Sequence, residues 1–283
     1  MNPDQGTVLR GLSREDLYLV VHERFMTDSA RYADVVLPAT TSLEHADLYK
    51  SYGQYAVQRV RPAIPPLSDA RPNWEVFRAL AAAMGYGEPI FQMTADEVIE
   101  LLIGRMDEGW LGEGGRARLL AGEPVVLAPP PGPRWGTPSG KIELLNPRGR
   151  EPLPRFLPTH AEDGLPLRLV TAPALNTLNS SFQERPELRA RAGGMTLKLA
   201  PSEAAARGLR DGQLVVAFNE LGEAAFRLRV AASVPSGVVV AEGVFWLAHA
   251  PGARNVNALT SQRLTDEAGG STFYDNRVEV RAG

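Results

Sequence analysis

Thr171-Ala-Pro-Ala-Leu-Asn-Thr-Leu-Asn-Ser-Ser-Phe182 directly follows an apolar run, Leu167 to Val170, that reads as a buried strand. The strand empties into a loop carrying Asn176, Thr177, Asn179, Ser180 and Ser181. These side chains offer neutral donors and acceptors, and none has an evident base to make it a nucleophile. Such chemistry suits holding a polar heterocycle better than breaking a bond. A second group, Asn255-Val-Asn257 with Thr260-Ser-Gln262, follows Phe245-Trp246 at the end of a later strand. An aromatic pair there is ordinarily core, and a Ser/Asn loop is ordinarily a solvated turn. Two amide-rich loops on one β-region, next to a flat ring, form a ligand site of the kind that grips a planar group. The expectation is that both loops converge at one mouth of a barrel.

Other chemistry is weakly represented. Glu44-His45-Ala46-Asp47 has the residue types of a metal corner, but His22, His160 and His249 lie in separate segments without ligand spacing, so a polar loop edge is the simpler reading. Gly136-Thr-Pro-Ser-Gly-Lys141 is one residue short of a phosphate loop and places Ile142 where a hydroxyl would meet magnesium. No Gly-x-Ser-x-Gly elbow occurs, which sets hydrolase aside. The 283 residues contain no cysteine, excluding disulfides, thiolate nucleophiles and thiolate-held clusters. A net charge of -3 gives no electrostatic reason to expect nucleic acid as a partner. Met1 to Asp16 has no apolar core of a signal peptide, and no run approaches the roughly 20 apolar residues of a membrane helix. A soluble, cytoplasmic chain without membrane insertion is expected.

The elements that must position these groups fall into two textures. Leu17 to Val21 reads as a buried parallel strand, Thr27 or Asp28 as the cap of a short helix, and Asp34 to Pro38 as a second strand. A polar stretch from Glu44 to Ala63 follows, and Pro62, Pro65, Pro66 and Pro72 then make an extended connector. Asn73 caps a helix from Trp74 to Met84 with Trp74, Phe77, Leu80, Ala81 and Met84 on one face; Thr94 and Glu97 form a capping box before a helix ending near Ile103. Residues 1–103 are therefore a partial α/β domain, and Gly104 to Gly164 a Gly/Pro-rich linker or cover. From Leu165 the pattern turns to β, with strands at Leu167–Thr171, Met195–Leu199, Gln213–Phe218, Ala224–Val230, Gly237–Ala241 and Arg277–Val280. A small helix begins at Pro201, and Asn219-Glu-Leu-Gly222 makes a hairpin turn. Six short strands with one helix predict a closed barrel over residues 165–283.

Several stretches together resemble the C-terminal portion of molybdopterin-dependent oxidoreductases of the dimethyl sulfoxide reductase family. They are Phe25 through Thr40 with its Ala-Asp-Val-Val-Leu-Pro core, Glu44-His45, Thr137-Pro-Ser-Gly-Lys-Ile-Glu143, Ala204 through Gly212, Asn257-Ala-Leu-Thr260 and Phe273 through Val280. The resemblance implies the end of a Rossmann-like, guanine-dinucleotide-binding α/β domain followed by a six-stranded double-psi β-barrel of the aspartate-decarboxylase-like kind. It implies a molybdopterin guanine dinucleotide, with molybdenum or tungsten and any iron–sulfur cluster held in the complete enzyme by a further N-terminal region or partner subunit. Electron-transfer subunits are possible partners. By matched position, His22, Glu23, His45 and Asn73 hold the guanosine, His22 and Glu23 lying just after the first strand. Thr171, Ala172, Asn176, Asn179 and Ser180 wrap the pterin and its phosphates, with Trp246, Asn257 and Tyr274 completing that side. No residue matches the metal ligand, so no catalytic or metal residue is assigned. The competing reading is a non-catalytic dinucleotide-binding or assembly module.

Overall fold

Alternate apolar residues between Leu167 and Val280 share one interior, and their spacing dictates the larger part of the fold. The computed structural model describes residues 2–128, 132, 135–149, 151–153, 155–156, 164–265 and 269–283. The chain runs α1 (Gln5–Leu12), β1 (Val20–Glu23), β2 (Val35–Pro38), β3 (Asp47–Lys50), β4 (Ala56–Val60), α2 (Asn73–Ala83) and α3 (Ala95–Arg105). It continues through α4 (Glu108–Leu111), α5 (Gly115–Ala121), β5 (Val125–Val126), β6 (Leu167–Ala172), α6 (Pro186–Ala192), β7 (Thr196–Leu199) and α7 (Pro201–Ala206). β8 (Leu214–Asn219), β9 (Gly222–Val230), β10 (Val238–Glu242) and β11 (Asn276–Ala282) complete it. The chain divides into one unit of residues 1–19, 27–32 and 145–283 and a second of residues 20–26 and 33–144.

In the first unit, six strands close a barrel in the order β10-β6-β11-β8-β9-β7. β6 pairs with β10, and β7 with β9, in parallel; the other neighbours are antiparallel. Leu167, Leu169, Leu197, Leu199, Val215, Leu228, Val239 and Val278 are completely buried inside. Each such side chain contributes about 1.5–3 kcal/mol of burial, and closure leaves no sheet edge unpaired. All six expected strands are present to within about two residues, and β8 and β9 join across Glu220-Leu221 as the hairpin turn predicts. α6 was not anticipated: its seven residues contain Pro186 and no buried side chain, so no apolar period announces it. α1 also belongs to this unit, with Asp4 accepting from the Thr7 amide at its start.

In the second unit, β1 and β2 form a parallel pair, and β3, β4 and β5 an antiparallel sheet. The core is Val57, Ile99, Ile103, Leu111, Leu119, Val125 and Leu127. The linker reading therefore fails for residues up to Leu127: α4, α5 and β5 complete this core. They span only four, seven and two residues, too short for a period to show, and Gly112, Gly114 and Gly122 turn the chain between them with positive φ. β3 and β4 arise from the stretch read as merely polar.

Two further expectations shift. β1 starts at Val20, so His22 and Glu23 lie on the strand, paired with Leu37 and Pro38, not after it. It is also less buried than an apolar run predicts, since Val20 is 49% exposed. Pro72, extended at φ -70°, precedes α2 and leaves Asn73 as its first helical residue, without a side-chain cap. Of the apolar face assigned to α2, only Ala81 is buried. The capping box of α3 forms as expected, with Thr94 and Glu97 each bonded to the other's backbone. Among the described residues no helix is long and apolar enough to cross a membrane.

Candidate functional site

In the barrel unit five of the eight sequence-predicted residues, Thr171, Ala172, Asn179, Asn257 and Tyr274, gather where β6, β10 and the loops beyond them end. Thr171, Ala172, Pro173, Asn179, Gly243, Val244, Asn257, Phe273 and Tyr274 line one cleft of about 60 Å³. Both amide-bearing loops thus reach a single mouth. Register explains part of this: Thr171 and Ala172 pair with Ala241 and Glu242, so the two strands release their chains side by side. The Gly243 amide then donates to the Ala172 carbonyl at 2.8 Å. Gly243 has φ +78°, and a Cβ there would approach the Ala174 Cβ at 3.1 Å, so only glycine keeps this floor open.

Asn257 is 5% exposed, and its amide nitrogen is fixed by the Asn255 side chain at 2.9 Å. Its own side-chain amide has no hydrogen-bond partner among the described residues, which leaves donor and acceptor available to the cleft. Neither of its polar atoms is among the enclosed unpaired ones, so the amide is open to the cleft, where a ligand edge would gain neutral hydrogen bonds of about 0.5–1.5 kcal/mol each. Asn255, which sequence reading left unassigned, is the organiser: it also donates to the Phe245 carbonyl at 2.7 Å. Asn179 adopts a left-handed conformation, φ 53°, tolerated better by asparagine than by most residues. Tyr274 is more than half exposed at the rim.

Asn176 lies apart, in a neighbouring groove of about 480 Å³ with Thr177, Leu178, Asn179 and Phe182. Thr177 Oγ1 and both polar atoms of the Gln183 side chain are buried there or nearby without partners among the described residues. Gln183 was not singled out, and Thr177 only as a member of the polar loop, because an unpaired buried group is invisible in a loop sequence. Ser180 meets the site through its carbonyl, which accepts from the Trp246 indole Nε1 at 2.8 Å. Trp246 therefore braces the loop, its ring stacked against His249 at 6.0 Å, and it does not line the cleft.

In the second unit, His22, Glu23, His45 and Asn73 line one cleft of about 880 Å³, together with Thr40, Glu44, Asp47, Trp74 and Asp96. That volume is in the range of small-molecule sites, whereas the barrel cleft alone could seat only one edge of a ring. β1 carries His22 and Glu23 to the cleft, and Asn73 enters from the first turn of α2. His22 Nε2 lies 3.0 Å from the Arg71 carbonyl, which can only accept, so Nε2 carries the proton and Nδ1 is an acceptor in the neutral ring. His45 Nδ1 shares a hydrogen bond with Thr40 Oγ1 at 2.9 Å. Glu44 is buried with its two oxygens on the amides of Thr41 and Leu67, at 2.6 and 2.7 Å. The Thr41 amide, above all, holds this carboxyl below its ordinary 4.5. Glu44 thus shapes the wall and is not available as a ligand. Among the described residues no group of three or more histidine or carboxylate side chains could hold a metal ion. His160 lies outside the described residues.

Residues 167–277 match the family described as molydopterin dinucleotide binding domain, and residues 1–83 match molybdopterin oxidoreductase. A probable oxidoreductase, YoaE, from Bacillus subtilis (strain 168) is 34% identical across 98% of this chain and 42% of its own length. The dimethyl sulfoxide/trimethylamine N-oxide reductase of Cereibacter sphaeroides is 27% identical over 85% of this chain and 34% of its own. Acetylene hydratase from Pelobacter acetylenicus shares the fold, with a TM-score of 0.79 at 21% identity over 99% of this chain and 42% of that one. The chain thus spans between about a third and about two fifths of these relatives. The chain belongs to the molybdopterin oxidoreductases and carries their dinucleotide-binding domain.

Proposed function

We propose that this chain holds a molybdopterin guanine dinucleotide, with molybdenum or tungsten, for two-electron redox chemistry. The observation that carries the reading is the Asn257 side-chain amide, open to a cleft and without a partner among the described residues, which lines that cleft with Asn179, Thr171, Ala172 and Tyr274 from separate segments. A pterin edge, with its alternating donors and acceptors, satisfies such a set without any charged partner. In this reading those residues, with Asn176 and Ser180 beside them, hold the pterin. His22, Glu23, His45 and Asn73 hold the guanosine: the Glu23 carboxylate is suited to the two donors on the Watson–Crick edge of guanine, and the Asn73 amide to an acceptor. The bound cofactor supplies the metal-centred electron transfer, while the residues of this chain bind, orient and desolvate it. The barrel is read as double-psi, supported by its two parallel pairs, and the β1–β2 pair as the end of a Rossmann-like sheet.

The chain contains no cysteine, so any thiolate-held iron–sulfur cluster belongs to a further N-terminal region or a partner subunit; the metal's protein ligand, for which no residue here matches, is read as lying there too, with electron-transfer subunits beyond. By itself the chain then has no turnover, in a cytoplasmic enzyme whose substrate is selected by that further part. The test is to purify the protein from cells that make the cofactor and to analyse released pterin and nucleotide. Pterin with GMP in equal amounts is expected. CMP in place of GMP would refute the guanosine assignment, and a folded barrel without pterin would refute the whole reading.

A further inference from the structure

We propose that Asp28 is a positioning residue for the barrel cleft, acting through Trp246 on the loop that bears Asn179 and Ser180. The inference rests on the ligand reading above for its purpose, though not for its geometry. Sequence pattern places Asp28 or Thr27 as the cap of a local helix. The local element is a single 3-10 turn, Ala30–Tyr32, held by the Thr27 hydroxyl and by the carbonyls of Thr27, Asp28 and Ser29. The Asp28 carboxylate goes elsewhere. Its Oδ2 accepts from the Leu247 amide at 2.6 Å and its Oδ1 from the Ala248 amide at 3.4 Å, both within the same unit. These amides open the 3-10 turn Leu247–His249, whose own preceding residue, Trp246, supplies no capping side chain. A carboxylate from 219 residues earlier therefore does the work of a local cap.

The consequence reaches the cleft in one step. Trp246 immediately precedes the capped turn, and its indole holds the Ser180 carbonyl. Ser180 adjoins Asn179, whose left-handed backbone needs outside support. Residues near the N-terminus secure the same segment further along: Gln5 accepts from the Asn255 amide at 3.3 Å, and the Asp4 amide donates to the Thr260 carbonyl at 2.7 Å. The stretch from Phe245 to Thr260 is thus tied to residues 4–28 at both of its ends. Asp28 bears the only charge in the linkage from Leu247 to Ser180, which makes it the strongest single tie.

Hydrogen exchange read amide by amide on the purified protein tests this. Asp28→Ala should speed exchange at Leu247 about tenfold or more, the loss expected for a charge-assisted bond, and should speed it at Ser181 as well. Ser181 is informative because its amide donates to the Leu178 carbonyl at 2.9 Å, inside the loop Trp246 braces. Asp28→Asn keeps an acceptor and should restore both amides to within about threefold of the original. Trp246→Phe should speed Ser181 and leave Leu247 protected, and adding Asp28→Ala to it should not speed Ser181 further. Should Asp28→Ala fail to fold, Trp246→Phe decides alone: unchanged Ser181 exchange overturns the linkage. Unchanged Ser181 in a folded Asp28→Ala protein overturns it, as does uniform acceleration across β6 to β11. Released pterin is measured in parallel. Absence of pterin from the unaltered protein refutes the proposed function but leaves exchange to judge the linkage. Full pterin occupancy in Asp28→Ala, with Ser181 loosened, refutes the positioning role.

Discussion

In the proposed site Asn179 and Asn257 would contribute neutral hydrogen bonds to the pterin, each worth only about 0.5–1.5 kcal/mol. Replacing both by alanine should weaken retention of the pterin by about 2 kcal/mol, roughly thirtyfold, while thermal unfolding of the barrel shifts little. Full pterin occupancy in the double variant would remove these residues from the site. Charged residues serve the scaffold instead. Glu203 accepts from the Ser236 hydroxyl and the Gly237 amide and pairs with Arg207, which also pairs with Glu279. These contacts, the Ser236 bond first, pull its pKa from 4.5 to about 2. A folded-state pKa below the unfolded value stabilises above the unfolded pKa, and the contribution fades as pH falls from about 4.5 towards 2. Glu203→Gln should therefore lower the unfolding temperature most at neutral pH, with the gap to the unaltered protein closing near pH 2. A gap constant across that range would mean the carboxylate is not the source.

At the scale of elements, the contrast between the barrel and the second unit is one of length and alternation. β9 buries Ala224, Phe226 and Leu228 in strict alternation, and β6 does the same with Leu167 and Leu169. Such strands are legible because the period of two is the pattern that folding itself reads. α4, α5 and β5 carry one or two core residues each, so their contribution exists only after they meet Ile99 and Ile103. The clefts were legible in the same uneven way. The polar loops advertised themselves, whereas the brace role of Trp246 and the reach of Asp28 depend on contacts between distant segments. Leu119 tests the corrected boundary. It is completely buried, so Leu119→Ala should destabilise the second unit by about 2–5 kcal/mol in denaturant unfolding. A loss under about 0.5 kcal/mol, the range of surface substitutions, would return α5 to the status of a cover. Thr94→Ala, which breaks the capping box of α3, should cost about 1 kcal/mol by the same measurement.

At the scale of the molecule, the second unit leaves apolar surface that its own elements do not use. β1 and β2 form a parallel sheet of only two strands, although parallel sheets are ordinarily covered on both faces and continued at their edges. Leu19, Val21, Val35 and Leu37 are the residues the sequence pattern places beside such a gap; in the structure the exposed members of the two strands are Val20, Val36 and Pro38. On α2 and its C-terminal cap, Phe77, Leu80 and Met84 are spaced as one stripe, and each is close to half exposed or more. Burying a large apolar side chain is worth about 1.5–3 kcal/mol, so three on one stripe provide a strong incentive for association. In the proposed enzyme these surfaces meet further polypeptide. The isolated chain is accordingly expected to self-associate at micromolar concentration and to bind a hydrophobic dye. Phe77→Lys with Leu80→Glu should reduce both, since a charge on the stripe opposes its burial without touching the core residue Ala81. Sedimentation that shows a strictly monomeric chain before substitution, with no dye bound, would show that the stripe needs no cover.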